Sequence, residues 1–196
     1  MHSVSVLVVC SANVCRSPLA ARLLTASLEV PVVSAGSRAR AGTPPCPVAN
    51  PSLVHASVRL EAAHVRSASL VLGAAREHRS AAVALVPSAQ TRSFTLLQAA
   101  RLASWVSAQG VTAPPGLSAS ERLTWWVEEL DAARGDAPRG DAVDDDLPDP
   151  HESSARHDGV IPQLAAAVRA LAGLLAPAAG ARPAQWSDAA SGRARG

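Results

Sequence analysis

The sequence predicts an α/β fold, a three-layer sandwich with a central parallel sheet of about four strands and helices on both faces. Three observations predict it. The run Ser3 to Cys10 is short, β-branched and apolar without polar alternation, the pattern of a strand buried on both faces. Strand-like segments then alternate with segments of helical spacing, which right-handed βαβ units require. Finally, 196 residues with 48% hydrophobic and 17% charged side chains can bury one full core but are short for two.

The elements follow in order. Ser17-Pro18 opens a run of helix formers, Leu19 to Leu28, with Ser17 as N-cap and Pro18 at the first helical position. Val30 to Ser34 is a second strand, stopped by Ala35-Gly36, and Ser69 to Leu72 is a third between two Ala/Arg-rich helical segments. Ser93 to Val106, Ser118 to Ala133 and Ile161 to Leu175 read as helices, with Trp125-Trp126 packing the second. Gln109 to Leu117 and Gly135 to Pro150 are rich in Gly, Pro and Asp and read as loops. Beyond Pro177 the chain is nearly all Ala, Gly, Pro, Arg and Ser. The expected organisation is one domain over 1–176 and a disordered tail over 177–196.

Composition excludes several function classes. A net charge of +2 is too balanced for a nucleic-acid binder that neutralises phosphates. Three cysteines without a CxxC pair fit neither a disulfide scaffold nor a structural zinc site. Cys46, within Pro44-Pro45-Cys46-Pro47, has no partner in sequence, and His2, His64 and His157 read as surface residues. The first apolar run is too short for a membrane span or secretory signal, so the expectation is a cytoplasmic protein that acts as a monomer without a membrane.

In parallel sheets of this kind ligands bind beyond the carboxyl ends of the strands, which directs attention to the loop after the first strand. It reads Cys10-Ser11-Ala12-Asn13-Val14-Cys15-Arg16-Ser17-Pro18, a C-x5-R-S-P pattern between a buried strand and a helix start. Such a loop can curl so that successive backbone N–H groups point inward, a nest for a tetrahedral dianion reinforced by the helix dipole. Arg16 can close the nest with a bidentate fork. The same positive field favours the thiolate of Cys10, a nucleophile placed under the phosphorus. No metal or other cofactor is needed where Arg16 and the amides neutralise the charge.

A phosphocysteine mechanism also needs a proton donor for the leaving group. Asp149, in Leu147-Pro148-Asp149-Pro150-His151, is the candidate because its flanking prolines hold it extended and rigid. Asp141, Asp144, Asp145 and Asp146 read as a solvated acidic loop.

Cys10-x5-Arg16-Ser17-Pro18 near the start, paired with Asp149-Pro150 before the last helix, resembles the low-molecular-weight protein tyrosine phosphatase family, in particular its actinobacterial members. Ser34-Ala35-Gly36, His55, Arg76-Glu77-His78 and Ser93-Phe94-Thr95-Leu96 fall in the order that family shows, so the resemblance covers about residues 3–175. It implies that Cys10 attacks phosphorus, Arg16 binds phosphate and stabilises the transition state, and Asp149 protonates the leaving oxygen. Ser11, Ala12, Asn13, Val14 and Cys15 then supply the phosphate loop. Ser17 matches the hydroxyl that assists the nucleophile, Asn13 the residue whose strained backbone shapes the loop, and Ser34 and His55 the side chains that hold that Asn. The implied substrate is a tyrosine-phosphorylated protein, a bacterial tyrosine kinase being one candidate.

Departures from the family pattern qualify this expectation. Ala12 stands where Gly is usual, so a Cβ would restrict the loop if the position needs φ > 0. His151 and the segment Arg38-Ala39-Arg40 stand where aromatic residues usually line the site. Cys15 matches a second loop cysteine that some relatives join to the nucleophile in a reversible disulfide; a small loop-filling side chain is the alternative. Three rival functions share the loop. Arsenate reduction needs two further relay cysteines, and none follows Cys46. Phosphoarginine hydrolysis goes with a Thr where this chain has Val14. A non-catalytic phosphate-binding module would keep the loop without turnover.

Overall fold

Strand β1 (Val6–Cys10) has all five residues buried, because it runs through the interior of the sheet under helices on both sides. The computed structural model describes residues 5–49, 54–138, 142–151 and 156–176; the tail expected over 177–196 lies outside them. β1 pairs with β2 (Val32–Gly36) and β3 (Leu70–Gly73), and β4 (Ser93–Thr95) adds to β3, giving the order β2-β1-β3-β4. Every pairing is parallel, with Val6 opposite both Val32 and Leu70.

Alternation along the strands divides the core. Val6, Val8, Leu70, Leu72 and Phe94 pack into the larger layer, which holds α1 (Arg16–Thr25), α4 (Leu96–Ala108), α5 (Ala119–Asp136) and α6 (His157–Leu175). Leu7, Val9, Ala35 and Val71 face a smaller layer with Val65 and Ala82, from α2 (Ala62–Ser67) and α3 (Arg76–Leu85). A fully buried Val or Leu contributes roughly 1.5–3 kcal/mol, so the two layers hold β1, and with it the start of the loop after Cys10, firmly in place. Among the described residues α6 is long and apolar enough to cross a membrane. Its Val160, Leu164, Val168 and Leu171 are instead buried against the core.

Several boundaries differ from the sequence expectation. Helix α1 starts at Arg16 with Cys15 as N-cap, and ends at Thr25 rather than Leu28. Ser17 therefore lies inside the first turn, and Pro18 is tolerated there because N–H groups of that turn have no intrahelical acceptor. The second strand sits two residues later than Val30 to Ser34. Pro31 gives its carbonyl to Val6 N–H instead, and Gly36 comes level with Cys10. Ser93 to Thr95 is a strand and not the start of a helix, since Phe94 fills the core and the Thr95 hydroxyl caps α4 by accepting Gln98 N–H. Helix α6 begins at His157 and carries Pro162 within it.

The acidic segment corrects the expectation more sharply. Asp144 is exposed, and Asp141 lies outside the described residues. Asp145, however, accepts from Arg101 NH2 at 3.2 Å on both oxygens. Asp146 accepts the backbone N–H of Arg76 at 2.7 Å and its Nε and NH2 at 2.9 and 2.8 Å. Leu147 is fully buried, and its N–H donates to Ala74 O just past β3. These residues tie the chain after α5 to the carboxyl edge of the sheet.

Gly36 is where β2 meets the loop after β1. A Cβ there would lie 2.6 Å from Ser11 O and 2.9 Å from Asn13 N, backbone atoms that cannot move aside without opening the loop. Gly36→Ala should lower the unfolding free energy by about 1–3 kcal/mol in denaturant titrations. Gly135→Ala, inside α5 with nothing within 4 Å of the added methyl, should instead be neutral or stabilising by up to about 1 kcal/mol. Equal stability of the two variants would mean that the loop does not pack on β2 as described.

Candidate active site

Ser11 to Cys15 connect β1 to α1, and the turn is made at Asn13. Among the described residues Asn13 is the one non-glycine with positive φ, at 56°, a conformation Asn tolerates better than most residues. Its amide is fully assigned by its partners. Val58 N–H donates to Oδ1 at 2.8 Å, so Nδ2 is the donor to Ser17 Oγ and to Ser34 Oγ, both at 2.9 Å. His55 Nε2 lies 2.9 Å from Asn13 O and 3.2 Å from Oδ1, acceptors both, so this nitrogen carries the proton. Ala12 is exposed and lies outside the positive-φ region, so the restraint expected from its Cβ does not arise.

These contacts set the surroundings of Cys10. Asn13 N–H points at Cys10 Sγ at 3.3 Å, and Ser17 Oγ lies 3.0 Å from the same sulfur. Ser17 Oγ accepts from Asn13 Nδ2, and its one hydroxyl proton has Cys10 Sγ at 3.0 Å and Ala35 O at 3.5 Å as acceptors, the sulfur being the nearer. The Asn13 N–H and the Ser17 hydroxyl thus converge on the sulfur.

Arg16, 4% exposed, spans the site. NH1 donates to Leu147 O at 3.0 Å, and NH2 donates to Ser11 Oγ at 3.2 Å and to Asp149 Oδ2. The guanidinium therefore links the first loop to the distant acid loop directly. Asp149 keeps 19% side-chain exposure. Its Oδ1 accepts His151 N–H at 3.0 Å, a local turn contact that fixes the carboxyl between its two prolines.

His78, which the sequence offered only as part of an ordered match, completes the floor. It is wholly buried at the start of α3. Ala75 N–H donates to Nδ1 at 3.0 Å, so the ring proton is on Nε2, which donates to Ser11 Oγ at 2.9 Å. Burial, reinforced by Arg16 and Arg38, pushes the His78 pKa down to about 4, leaving it neutral near pH 7. Its position three residues into the helix after a strand carboxyl end was the available clue, but a His there is also common as a packed core residue.

Val14 is half-buried, and its carbonyl accepts Cys46 N–H at 2.7 Å. Cys15 is buried, and burial and then Cys46 push its thiol up to about 12. Two expectations are corrected here. Cys46 is buried beside the loop, and His157 is half-buried with Nε2 3.3 Å from Cys46 Sγ. Both are drawn in because the 44–47 segment lies on the loop after β1 and α6 begins next to it. Trp126 is buried and Trp125 stands edge-on to it at 4.6 Å, as expected for helix packing.

The neutral His78 makes a pH prediction. Its folded pKa lies below the usual 6.5, so the unfolded chain binds the proton more readily and stability is lost as pH falls from about 6.5 towards 4. At the lower end this one group accounts for about 3 kcal/mol. His78→Gln should flatten the pH dependence of the melting temperature across that window relative to the unaltered protein. Parallel curves for the two proteins would show that His78 is not held neutral.

Comparison with known proteins places this geometry. The tyrosine phosphatase Wzb from Escherichia coli K30, in complex with phosphate, superposes with a TM-score of 0.57 at 21% identity, covering 87% of this chain and 91% of that one. YfkJ from Bacillus subtilis gives a TM-score of 0.57 at 16% identity over 87% and 92% of the two chains. These two share the fold. The YwlE arginine phosphatase from Geobacillus stearothermophilus is 29% identical over 67% of this chain and 90% of its own, with a TM-score of 0.46. No curated protein matches. Residues 5–108 match the family described as low molecular weight phosphotyrosine protein phosphatase, and they contain β1, the loop Ser11 to Cys15, Ser34, His55 and His78; the chain belongs to that family.

Proposed function

We propose that the protein removes phosphate from tyrosine in phosphoproteins by two displacements through a phosphocysteine on Cys10. That it is a phosphoric monoester hydrolase follows from its family; the assignment of roles to residues is the proposal. One observation supports it above the others: Cys10 Sγ, with donors from Asn13 and Ser17, shares one edge of the sheet with Arg16, and Arg16 holds Asp149.

In the first step the Cys10 thiolate forms the S–P bond as the P–O bond to the tyrosine breaks, and protonated Asp149 gives its proton to the departing phenolate oxygen. Amides of residues 11–16 and the Arg16 guanidinium neutralise the equatorial oxygens. In the second step Asp149, now a carboxylate, takes a proton from the attacking water, the S–P bond breaks, and the Ser17 hydroxyl stabilises the returning thiolate. Phosphate and Asp149 compete for Arg16 NH2, so substrate binding releases the carboxyl from the guanidinium; it then takes up a proton from solvent and turns towards the leaving group.

The working unit extends past the 5–108 match to the end of the 1–176 domain, because Asp149 is needed for the acid and α6 for the core. The substrate is a tyrosine-phosphorylated protein, bacterial tyrosine kinases included, and the protein acts as a cytoplasmic monomer.

The test uses leaving-group dependence. Tyrosine leaves with a pKa of about 10, so acid catalysis should matter by about 10²–10⁴-fold. Asp149→Asn should slow phosphotyrosine hydrolysis by that amount, and much less for an aryl phosphate with a strongly acidic phenol. Asp144→Asn, at an exposed position, should leave both substrates unaffected. Asp145→Asn, which loses the Arg101 tie, should slow both substrates by a common factor. An Asp149→Asn penalty equal for good and poor leaving groups would place the acid elsewhere.

A further inference from the structure

Two cysteines and two histidines whose side chains the phosphatase mechanism does not use meet at one place. Cys15, Cys46, His151 and His157 each offer a ligand atom, and these atoms all lie within 4.8 Å of one another. They come from four different segments: the N-cap of α1, the Pro-flanked 44–47 segment, the turn after Asp149-Pro150, and the first residue of α6. Other contacts hold the group together. Cys46 N–H donates to Val14 O at 2.7 Å, Cys46 Sγ and His157 Nε2 are 3.3 Å apart, and the two imidazoles stand edge-to-face at 4.9 Å and 82°.

We propose that these four residues form a tetrahedral Cys2His2 site for Zn2+ beside the phosphate loop. Zinc binds thiolate at about 2.3 Å and imidazole at about 2.0–2.1 Å, which puts neighbouring tetrahedral ligand atoms about 3.3–3.8 Å apart. The 4.8 Å spread needs only small side-chain adjustments to reach that. The donor set selects the metal: two thiols with two imidazoles suit zinc, and hard cations such as Mg2+ or Ca2+ take oxygen ligands instead. On binding, each thiol loses its proton to solvent, and the two thiolates balance the charge of the ion. Cys15 and Cys46 are buried while His151 is exposed, so the ion has an entry side and a closed back. Occupied, the site would clamp the turn after Asp149 to the phosphate loop and to α6, and it would remove Cys15 from any pairing with Cys10. The absence of CxxC spacing hid it, because every ligand comes from a separate segment.

The site is independent of the nucleophile, and the test exploits that. The full-length, reduced, chelator-treated chain is titrated with Co2+ as a spectroscopic substitute and then with Zn2+. One equivalent of Co2+ should give the intense visible bands of a tetrahedral thiolate complex, and Zn2+ should bleach them. Cys10→Ser should behave like the unaltered protein. Cys46→Ser and His151→Ala should weaken binding by at least the roughly 10–100-fold that losing even an outer partner of a ligand costs. His151 is exposed, so its variant is expected to fold whatever happens to Cys46→Ser, and circular dichroism of the metal-free proteins checks this. Absence of thiolate bands, their loss in Cys10→Ser alone, or a Cys15–Cys46 disulfide in place of metal binding under reducing conditions would overturn the proposal.

Discussion

The site depends on one backbone turn, the left-handed conformation of Asn13. Through it the Asn13 N–H reaches Cys10 Sγ while the side chain reaches Ser17 and, in β2, Ser34. Single residues held in that region cost free energy and persist only where surrounding contacts over-determine them. Here they do: Val58, Ser17, Ser34 and His55 use every polar atom of the Asn13 side chain. Gly36 then lets β2 approach close enough for Ser34 to be one of them. The same side chain that pins the turn also donates to Ser17, so the shape of the loop and the hydrogen bonding around Cys10 are set by one residue.

Arg16 carries that order across the molecule. Its buried guanidinium joins the Ser11 hydroxyl, the Leu147 carbonyl and the Asp149 carboxylate, groups more than a hundred residues apart in sequence. A buried cation needs such partners, since leaving it unpaired would cost several kcal/mol. The acid loop reaches it because Asp145, Asp146 and Leu147 are each tied to a different neighbour. Electrostatics at the sheet edge and the placement of Asp149 are therefore one problem with one solution. His78 contributes by staying neutral: a second buried positive charge against Arg16 would oppose it.

What the sequence made legible was local. The buried strand, the phosphate loop and the helix start are contiguous, so their spacing alone carries the geometry, and the flanking prolines marked Asp149 within a run of acids. What it hid was set by contacts between distant segments. Asp145 and Asp146 looked solvated because nothing in a run of Asp reveals Arg101 and Arg76. Ser93 to Thr95 was absorbed into a helix because three residues are too few for a strand period, and burial of Phe94 decides the matter. Ser17 was displaced from N-cap to first turn because curling the loop draws Arg16 into the helix. Cys46 and His157 carried no pattern, since their proximity exists only once α6 has packed against the sheet layer.

A nucleophilic Cys10 becomes covalently phosphorylated during turnover, and direct observation of that species tests the proposed mechanism. With an aryl phosphate whose phenol leaves readily, the first step should be fast enough for the second to limit the rate and for the intermediate to accumulate. Rapid acid quench followed by peptide mass spectrometry should find phosphate on the peptide containing Cys10, at a level that decays when substrate is exhausted. A protein that turns over normally with no phosphorylated Cys10 at any quench time, or with the phosphate on another residue, would contradict the account.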